Sequence, residues 1–195
     1  MSAITSTSIC NQALVFLGER PLLAFPEESL NSDYCMIFYA SVKEGELIKH
    51  PWNFATTRIQ LTQLATTPIN IYPYQFQLPV DLLKILDVYP LDARWRREQK
   101  SILADCTPLA ARGVFNVNEE DFTSIFGSVI AARLAMLLAP MITERDSKFS
   151  QAAAWYDDIV RDAKRIDMNE ESVDQIDDLN VISLRNVSSY TRAYT

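Results

Sequence analysis

The stretch Leu47-Ile-Lys-His-Pro-Trp-Asn-Phe-Ala-Thr-Thr-Arg-Ile-Gln-Leu61 decides how this chain is organised. A helical pattern runs into it, and Pro51 breaks that pattern because the residue before a proline is disfavoured in helical geometry. The only histidine, His50, stands at the break, and Trp52 and Phe54 follow at once. Such a stretch is either an active-site turn or a structural corner, and the rest of the chain must decide between them.

Apolar residues at helical spacing predict two helices before this stretch. The first is expected to be capped by Ser6 or Ser8 and to end at Gly18, since glycine favours the left-handed conformation that closes a helix. The second is expected to begin near Ser29 and to end at His50. Its predicted buried face consists of Leu30, Tyr34, Ile37, Phe38 and Val42.

Between residues 56 and 117 the pattern changes to one of short strands. Aromatic and aliphatic residues alternate there with glutamines or prolines, which is the period of two typical of a strand. Strands are predicted over residues 72–78, 83–89, 101–106 and 113–117. Prolines punctuate them, so the sequence predicts a small, mostly antiparallel β insert.

Two further helices are predicted after the insert. Asn118 is expected to cap the first, with Asp121 in its first turn, and this helix should end before Pro140. The second should run from about residue 147 to residue 168. The expected buried residues of these two helices are Phe122, Ile125, Phe126, Val129, Ile130, Leu134, Leu137, Ala152, Trp155, Tyr156, Ile159, Ala163 and Ile166.

Composition limits the class of protein. The chain has 195 residues, of which 48% are hydrophobic and 22% charged, as is ordinary for a soluble globular protein. The net charge of −7 argues against a protein that grips nucleic acid by neutralising phosphates. The apolar run over residues 131–141 contains Arg133 and is too short to span a bilayer. With no signal-peptide pattern at the N-terminus, a soluble intracellular product is expected.

Candidate chemistry is sparse. His50 has no Cys, Asp or Glu at ligand spacing, so a zinc site or a Ser-His-Asp site is not expected, and a capping or hydrogen-bonding role is predicted. The odd number of cysteines argues against a disulfide framework, and Cys35 is interpreted as a packing residue. No catalytic, cofactor-binding or metal-ligating residue is predicted. A hydrolase that uses His50 and a thiol stays open as a weaker hypothesis.

One local basic cluster stands out, namely Arg94-Trp95-Arg96-Arg97 followed by Lys100. Its interleaved tryptophan is compatible with contact to nucleic acid. Asp92 and Glu98 dilute the charge, and the same residues suit a solvated turn between two strands or a protein interface. Both interpretations stay open here.

The end of the chain differs from the rest. Residues 167–178 hold six acids and no base, whereas residues 181–195 hold no acid, two arginines and many Ser, Thr and Tyr. No helical stripe there is strong enough to build a core, which predicts a segment that docks onto a partner.

The predicted fold class is therefore mainly α with a small β insert (α+β). Residues 1–60 are expected to form the N-terminal helices of a bundle and residues 61–117 the β-rich insert. Residues 118–168 should form the C-terminal helices of the bundle, and residues 169–195 an extended docking tail.

Several motifs occur in an order that resembles a known family. They are Ile9-Cys10-Asn11-Gln12-Ala13-Leu14, Leu17-Gly18-Glu19, His50-Pro51-Trp52-Asn53-Phe54-Ala55 with Arg58, Tyr74-x-Phe76-x-Leu78-Pro79-x-Asp81, Ile102-Leu103-Ala104-Asp105, and the helix of residues 122–138 followed by Ile142-Thr143. From Ile9 to about Asp167 the chain resembles the tail tubular protein A family of short-tailed bacteriophages, which are head-to-tail adaptors or gatekeepers. Residues after Met168 match no motif of that family.

This resemblance implies a structural protein of the virion tail, made in the host cytoplasm and without enzymatic activity, cofactor, metal or membrane contact. It implies a homo-oligomeric ring, dodecameric in relatives, whose helical bundle forms the ring wall. Expected partners are the portal protein, the tail nozzle (tail tubular protein B) and tail fibres, with double-stranded DNA passing through the lumen without specific binding. The alternative is a small helical DNA-binding regulator that uses residues 94–100.

Two segments are expected to carry the contacts of such an adaptor. Residues 181–195 have no core of their own and are expected to reach the portal or a neighbouring subunit. The insert, residues 69–117, is expected to face tail components with its proline-rich, aromatic strands.

Overall fold

A computed structural model of the protein describes residues 4–66, 68, 71–143 and 146–170, and it has an α+β fold of four helices and two antiparallel sheets. The predicted fold class is therefore confirmed. The helices are α1 (Ser6–Leu17), α2 (Leu30–Lys49), α3 (Ser124–Ile142) and α4 (Asp146–Asn169). The predicted docking contact of residues 181–195 lies outside the described residues.

Helix α1 begins one residue earlier than expected. Thr5, and neither Ser6 nor Ser8, is the N-cap, because the Thr5 hydroxyl accepts a hydrogen bond from the Ser8 N–H while the Ser8 hydroxyl accepts one from the Thr5 N–H. This reciprocal pair satisfies two backbone donors. Gly18 closes the helix with φ 93°, as predicted.

Helix α2 has the predicted ends, and part of its predicted face is buried. Ser29 caps its start and His50 is its C-cap. Leu30 and Ile37, expected to be buried, are 65% and 66% exposed. The fully buried residues of α2 are Ser32, Cys35, Tyr39, Val42, Glu46 and Leu47. Val42 is buried and Tyr34 and Phe38 pack against the helical core, so the prediction was wrong only for Leu30 and Ile37. The inner face also includes Ser32 and Glu46, which have hydrogen-bond partners inside the fold.

Helix α3 is the centre of the helical core and contacts α1, α2 and α4. Thr123 caps it, and Asn118 instead precedes a short 3₁₀ turn at Glu119–Asp121, so the predicted cap was wrong. Pro140 lies inside the helix, near its end, where the missing N–H costs a single backbone hydrogen bond. The apolar run of residues 131–141 was expected to be too short to span a bilayer. It is part of α3, which by length and composition alone is long and apolar enough to do so, and α3 is largely buried within this fold.

Seven strands form two sheets. The strands are β1 (Thr56–Gln60), β2 (Thr62–Gln63), β3 (Tyr74–Gln77), β4 (Leu82–Tyr89), β5 (Trp95–Glu98), β6 (Ser101–Ala104) and β7 (Ala110–Phe115). Their orders are β1-β7-β4 and β2-β3-β6-β5. The predicted strands correspond to β3, β4, β6 and β7, whereas the polar strands β1, β2 and β5 were not predicted.

The sheet β1-β7-β4 is a wall shared by two hydrophobic cores. Val114 of β7 belongs to the helical core, whereas its neighbours in alternation, Ala111 and Phe115, belong to the core between the two sheets. Phe76 and Ile102 enter that second core from the other sheet. The β part is thus packed directly onto the helices through one sheet.

Candidate functional site at the corner and the adjoining cleft

The chain turns sharply after α2, and aromatic packing fixes the turn. Trp52 is 1% exposed, and its indole Nε1 donates a hydrogen bond to the Glu46 carbonyl oxygen at 3.0 Å. Its ring lies 4.7 Å from the His50 ring and 4.9 Å from the Phe126 ring. Phe54 also packs on Phe126. Trp52 and Phe54 therefore pack against the helical core, as a structural corner requires.

His50 has a partner that lies 117 residues away along the chain. Its Nε2 lies 3.0 Å from Oδ2 of Asp167, a residue only 8% exposed near the end of α4. The backbone N–H of Asn53 donates to Oδ1 of Asp167 at 3.0 Å, and the Asn53 side chain donates to the Asp167 carbonyl oxygen at 2.7 Å. Asp167 therefore joins the corner to α4.

This contact was not predicted, because only residues close to His50 along the chain were considered as its partners. The sequence did contain one signal that Asp167 is buried. Ala152 and Ala163 are buried on the same side of α4, and Asp167 follows Ala163 by one helical turn. An acid that continues a buried stripe needs a partner inside the fold. His50 is the imidazole that meets this need.

We expect Asp167→Ala to lower the free energy of unfolding by about 2 kcal/mol, since it removes two charge-assisted hydrogen bonds and leaves the Asn53 N–H without its acceptor. Urea denaturation followed by circular dichroism measures the change. Asp162→Ala is the matched control, because Asp162 is exposed and pairs with Arg165 on its own helix, and its effect should stay within about 0.5 kcal/mol. Equal effects of the two substitutions would contradict the structural role of Asp167.

A second polar network lies beside the corner. Glu46, 2% exposed, accepts hydrogen bonds from Lys49 Nζ at 2.6 Å and from the Tyr156 hydroxyl at 2.9 Å, and Arg133 Nε lies 4.0 Å away. Burial works against the charged form of Lys49, but its hydrogen bonds to Glu46 and Tyr156 outweigh burial and raise its pKa. Burial raises the pKa of Tyr156. Both carboxylate oxygens of Glu46 are paired, so the network ties α2, α3 and α4 together.

The thiols are not part of the corner. Cys10 and Cys35 are fully buried in the helical core, where the contact with Cys35 and burial raise the pKa of the Cys10 thiol. Burial and the nearby Asp105 raise the pKa of Cys106, in the β part. Among the described residues no thiol or hydroxyl is hydrogen-bonded to His50. Nor does this part of the chain contain a cluster of His, Cys, Asp and Glu suited to a metal ion.

One interpretation placed the basic residues 94–100 in a turn between two strands. In the structure most of them lie on a strand. Trp95–Glu98 is the edge strand β5, and the turn to β6 falls at Gln99, with φ 49°, and Lys100. Arg94 is paired with Asp105, its Nε 2.9 Å from Oδ2, and this pairing lowers the pKa of Asp105. Arg96 and Arg97 point to opposite faces because side chains alternate along a strand. The charge is therefore spread over the hairpin, and charged edge residues discourage unwanted pairing.

A cleft of about 450 Å³ adjoins the corner and is lined by Asn53, Thr56, Thr57, Arg58 and Arg112. Arg58 of β1 and Arg112 of β7 are direct partners in the strand register, so their side chains leave the same face of the sheet. Arg112 lies 3.5 Å from Asp87, and the Arg58 guanidinium stacks over the Tyr89 ring at 5.9 Å. This cleft is basic on an otherwise acidic protein.

The outer side of α2 carries exposed apolar residues, with the exposed polar residues Ser41 and Glu44 between them. Leu30, Ile37 and Ile48 lie on one line along the helix, at spacings of seven and eleven residues, and are 65%, 66% and 40% exposed. Met36, 51% exposed, lies about 100° around the helix from Ile37. The same helix buries Ser32 and Glu46, so exposed apolar and buried polar residues occur together on α2. Such an arrangement is typical of an interaction surface.

No protein-family model matches the chain, and no curated protein is significantly similar to it in sequence.

Proposed function

We propose that the protein is a structural head-to-tail adaptor of a short-tailed bacteriophage. Copies assemble into a ring below the portal, extend the channel for double-stranded DNA, and dock the tail nozzle and fibres. In this role the protein performs no catalysis and is a component of the virion tail. The proposal rests on the ordered motifs from Ile9 to Asp167 together with the outer face of α2.

The outer face of α2 is the observation that carries the proposal. A subunit of a closed ring needs one surface on each side for its neighbours, and such surfaces are rich in apolar residues. Leu30, Ile37 and Ile48 supply exposed apolar area of this kind along one helix. Burying them against a neighbouring copy would remove apolar area from water, at about 25 cal/mol per Å².

Charge also supports a channel role. A protein with a net charge of −7 does not neutralise DNA phosphates overall, and DNA that must slide through a lumen should not be held tightly. The alternative function, a DNA-binding regulator, requires residues 94–100 to bind DNA. The pairing of Arg94 with Asp105 and the spread of Arg96 and Arg97 over two faces give that alternative no added support.

Ring assembly on the portal tests the proposal. Wild-type protein is mixed with the portal protein of the same genome, and mass measurement and negative-stain imaging should show a ring of this protein attached to the portal ring. Ile37→Glu should abolish attachment in a folded subunit, because it places a charge in the centre of the proposed lateral contact. Its melting temperature as an isolated subunit should stay within about 2 °C of wild type.

Gln151→Glu is the matched control, since it adds the same charge at an exposed position of another helix, and it should assemble normally. Absence of portal binding by the wild-type protein would overturn the adaptor proposal. Strong DNA binding in a low-salt gel shift, falling steeply with added salt, would favour the regulator instead.

A further inference from the structure

The outer stripe of α2, which is the side that carries Leu30, Ile37 and Ile48, also carries acids. Asp33 and Glu44 are exposed and lie within about 60° of the line through Leu30 and Ile48, because successive residues of a helix are about 100° apart. Neither lysine of α2 lies on this side of the helix. The outer stripe therefore fits a partner that presents both apolar area and positive charge.

The hairpin of β5 and β6 presents this combination on the same chain. Residues 95–100, the basic hairpin, hold three bases and one acid, and all six residues are exposed. They include Trp95, which is 38% exposed. Strand β5 is hydrogen-bonded to β6 on one side and, among the described residues, has no strand on the other. Tryptophan and arginine are the residues that most often dominate the binding energy of a protein interface.

The outer stripe and the basic hairpin belong to opposite sides of the sheet β1-β7-β4. Val114 faces the helical core that includes α2, whereas Ala111 faces the core to which Ile102 of β6 belongs. A chain with complementary surfaces on two different sides associates head to tail with other copies. Such contacts form a ring when the rotation from copy to copy closes.

We propose that the basic hairpin of one copy docks on the outer stripe of α2 of the next copy. In this contact Trp95 packs against Ile37, and Arg96 and Arg97 reach Asp33 and Glu44. The two acids are eleven residues apart, roughly 16 Å along the helix, with Ile37 between them. Arg96 and Arg97 leave opposite faces of β5, so a strand edge seated across α2 directs one arginine toward each acid.

Charge favours this arrangement over symmetric contacts between copies. Two outer stripes placed face to face bring acid against acid. Two basic hairpins paired antiparallel over the full length of β5 bring Arg96 opposite Arg97, and like charges destabilise such a pair. The inference rests on the proposed function for the ring, whose lateral contact it names, while the contact itself needs only copies of this chain.

Charge reversal on each surface tests the inference on the full chain. The stripe variant carries Asp33→Lys with Glu44→Lys, and the hairpin variant carries Arg96→Glu with Arg97→Glu. The associated fraction is measured by sedimentation velocity for the isolated protein and by negative-stain imaging on portal rings. Each variant by itself brings like charges together, so its associated fraction should be lower than that of wild type by at least about tenfold. An equimolar mixture restores opposite charges and should recover the wild-type fraction to within about twofold.

Asp157→Lys with Asp162→Lys is the matched control. Both acids are exposed on α4, and the change in net charge equals that of the stripe variant, so this control should associate like wild type. The melting temperatures of the three variants should stay within about 4 °C of wild type, since every substituted residue is exposed.

The outcomes separate this inference from the adaptor function. Portal-bound rings that form equally well from wild type and from both variants would overturn the inference and leave the adaptor function in place. Loss of association in both variants without recovery in the mixture would also overturn it, by assigning the contact to other surfaces. A wild-type chain that is monomeric both in isolation and with the portal would overturn the two together. Charge-dependent association of the isolated chain without attachment to the portal would support the inference and overturn the adaptor function alone.

Discussion

Replacing Trp52 by alanine is expected to lower the free energy of unfolding by about 3–5 kcal/mol, the usual cost of truncating a buried aromatic residue. Trp52 is 1% exposed, contacts the rings of His50 and Phe126, and donates its N–H to Glu46. The melting temperature should fall by roughly 6–20 °C for a domain of this size. Circular dichroism at 222 nm during heating and urea titration measures both quantities.

Trp95→Ala is the control for this substitution. Trp95 is 38% exposed on the edge strand β5, so the same truncation removes less buried surface, and the expected loss is clearly smaller than that of Trp52→Ala. A Trp52→Ala protein as stable as the Trp95→Ala protein, with a selective loss of portal binding, would contradict the structural interpretation of the corner and restore a functional one.

Replacing Gly113 by alanine is expected to cost about 1–3 kcal/mol through overpacking. A Cβ at this position would meet Leu82 Cδ1 and would lie 2.6 Å from the carbonyl oxygen of Lys84. The carbonyl belongs to the backbone of β4, so the clash is relieved only by moving a strand of the shared sheet. Urea denaturation measures the loss, which should also broaden amide resonances of β4 and β7.

Gly45→Ala provides the matched comparison. Gly45 lies in α2, and the methyl group of an alanine there would have no neighbouring atom within 4 Å, so alanine should stabilise the helix by about 0.5–1 kcal/mol. The two glycine substitutions should thus have opposite signs. A neutral Gly113→Ala would show that β4 adjusts freely and that the shared sheet is less rigid than its packing indicates.

Local signals in the sequence were sufficient to predict where α2 ends and the chain turns. Pro51 after His50 predicted the end of α2, Gly18 predicted the end of α1, and the alternation around Phe76 predicted a strand. Each depends on the conformational preference of one or two residues. The existence of the helices and of four of the strands followed from such preferences.

The contacts that build the site are long-range and carried little local signal. Asp167 meets His50 across 117 residues, and Arg58 meets Arg112 only because β1 pairs with β7. The sequence of β1 has no apolar alternation, so neither the strand nor its register with β7 was predictable. The prediction for Leu30 and Ile37 of α2 was wrong for a related reason, since the buried side of the helix includes the polar residue Glu46, which is paired with Tyr156 of α4.

The sheet β1-β7-β4 has a mechanical consequence for the molecule. The chain leaves the helices through β1 and returns through β7, and these two strands are hydrogen-bonded neighbours from Thr56↔Val114 onward. With Val114 on one side and Ala111 on the other, this sheet is the single layer through which the outer strands join the helical core. Its principal contacts with the helices, among the described residues, are those of β4 and β7 with α2, so we expect a displacement of the outer sheet to act first on α2.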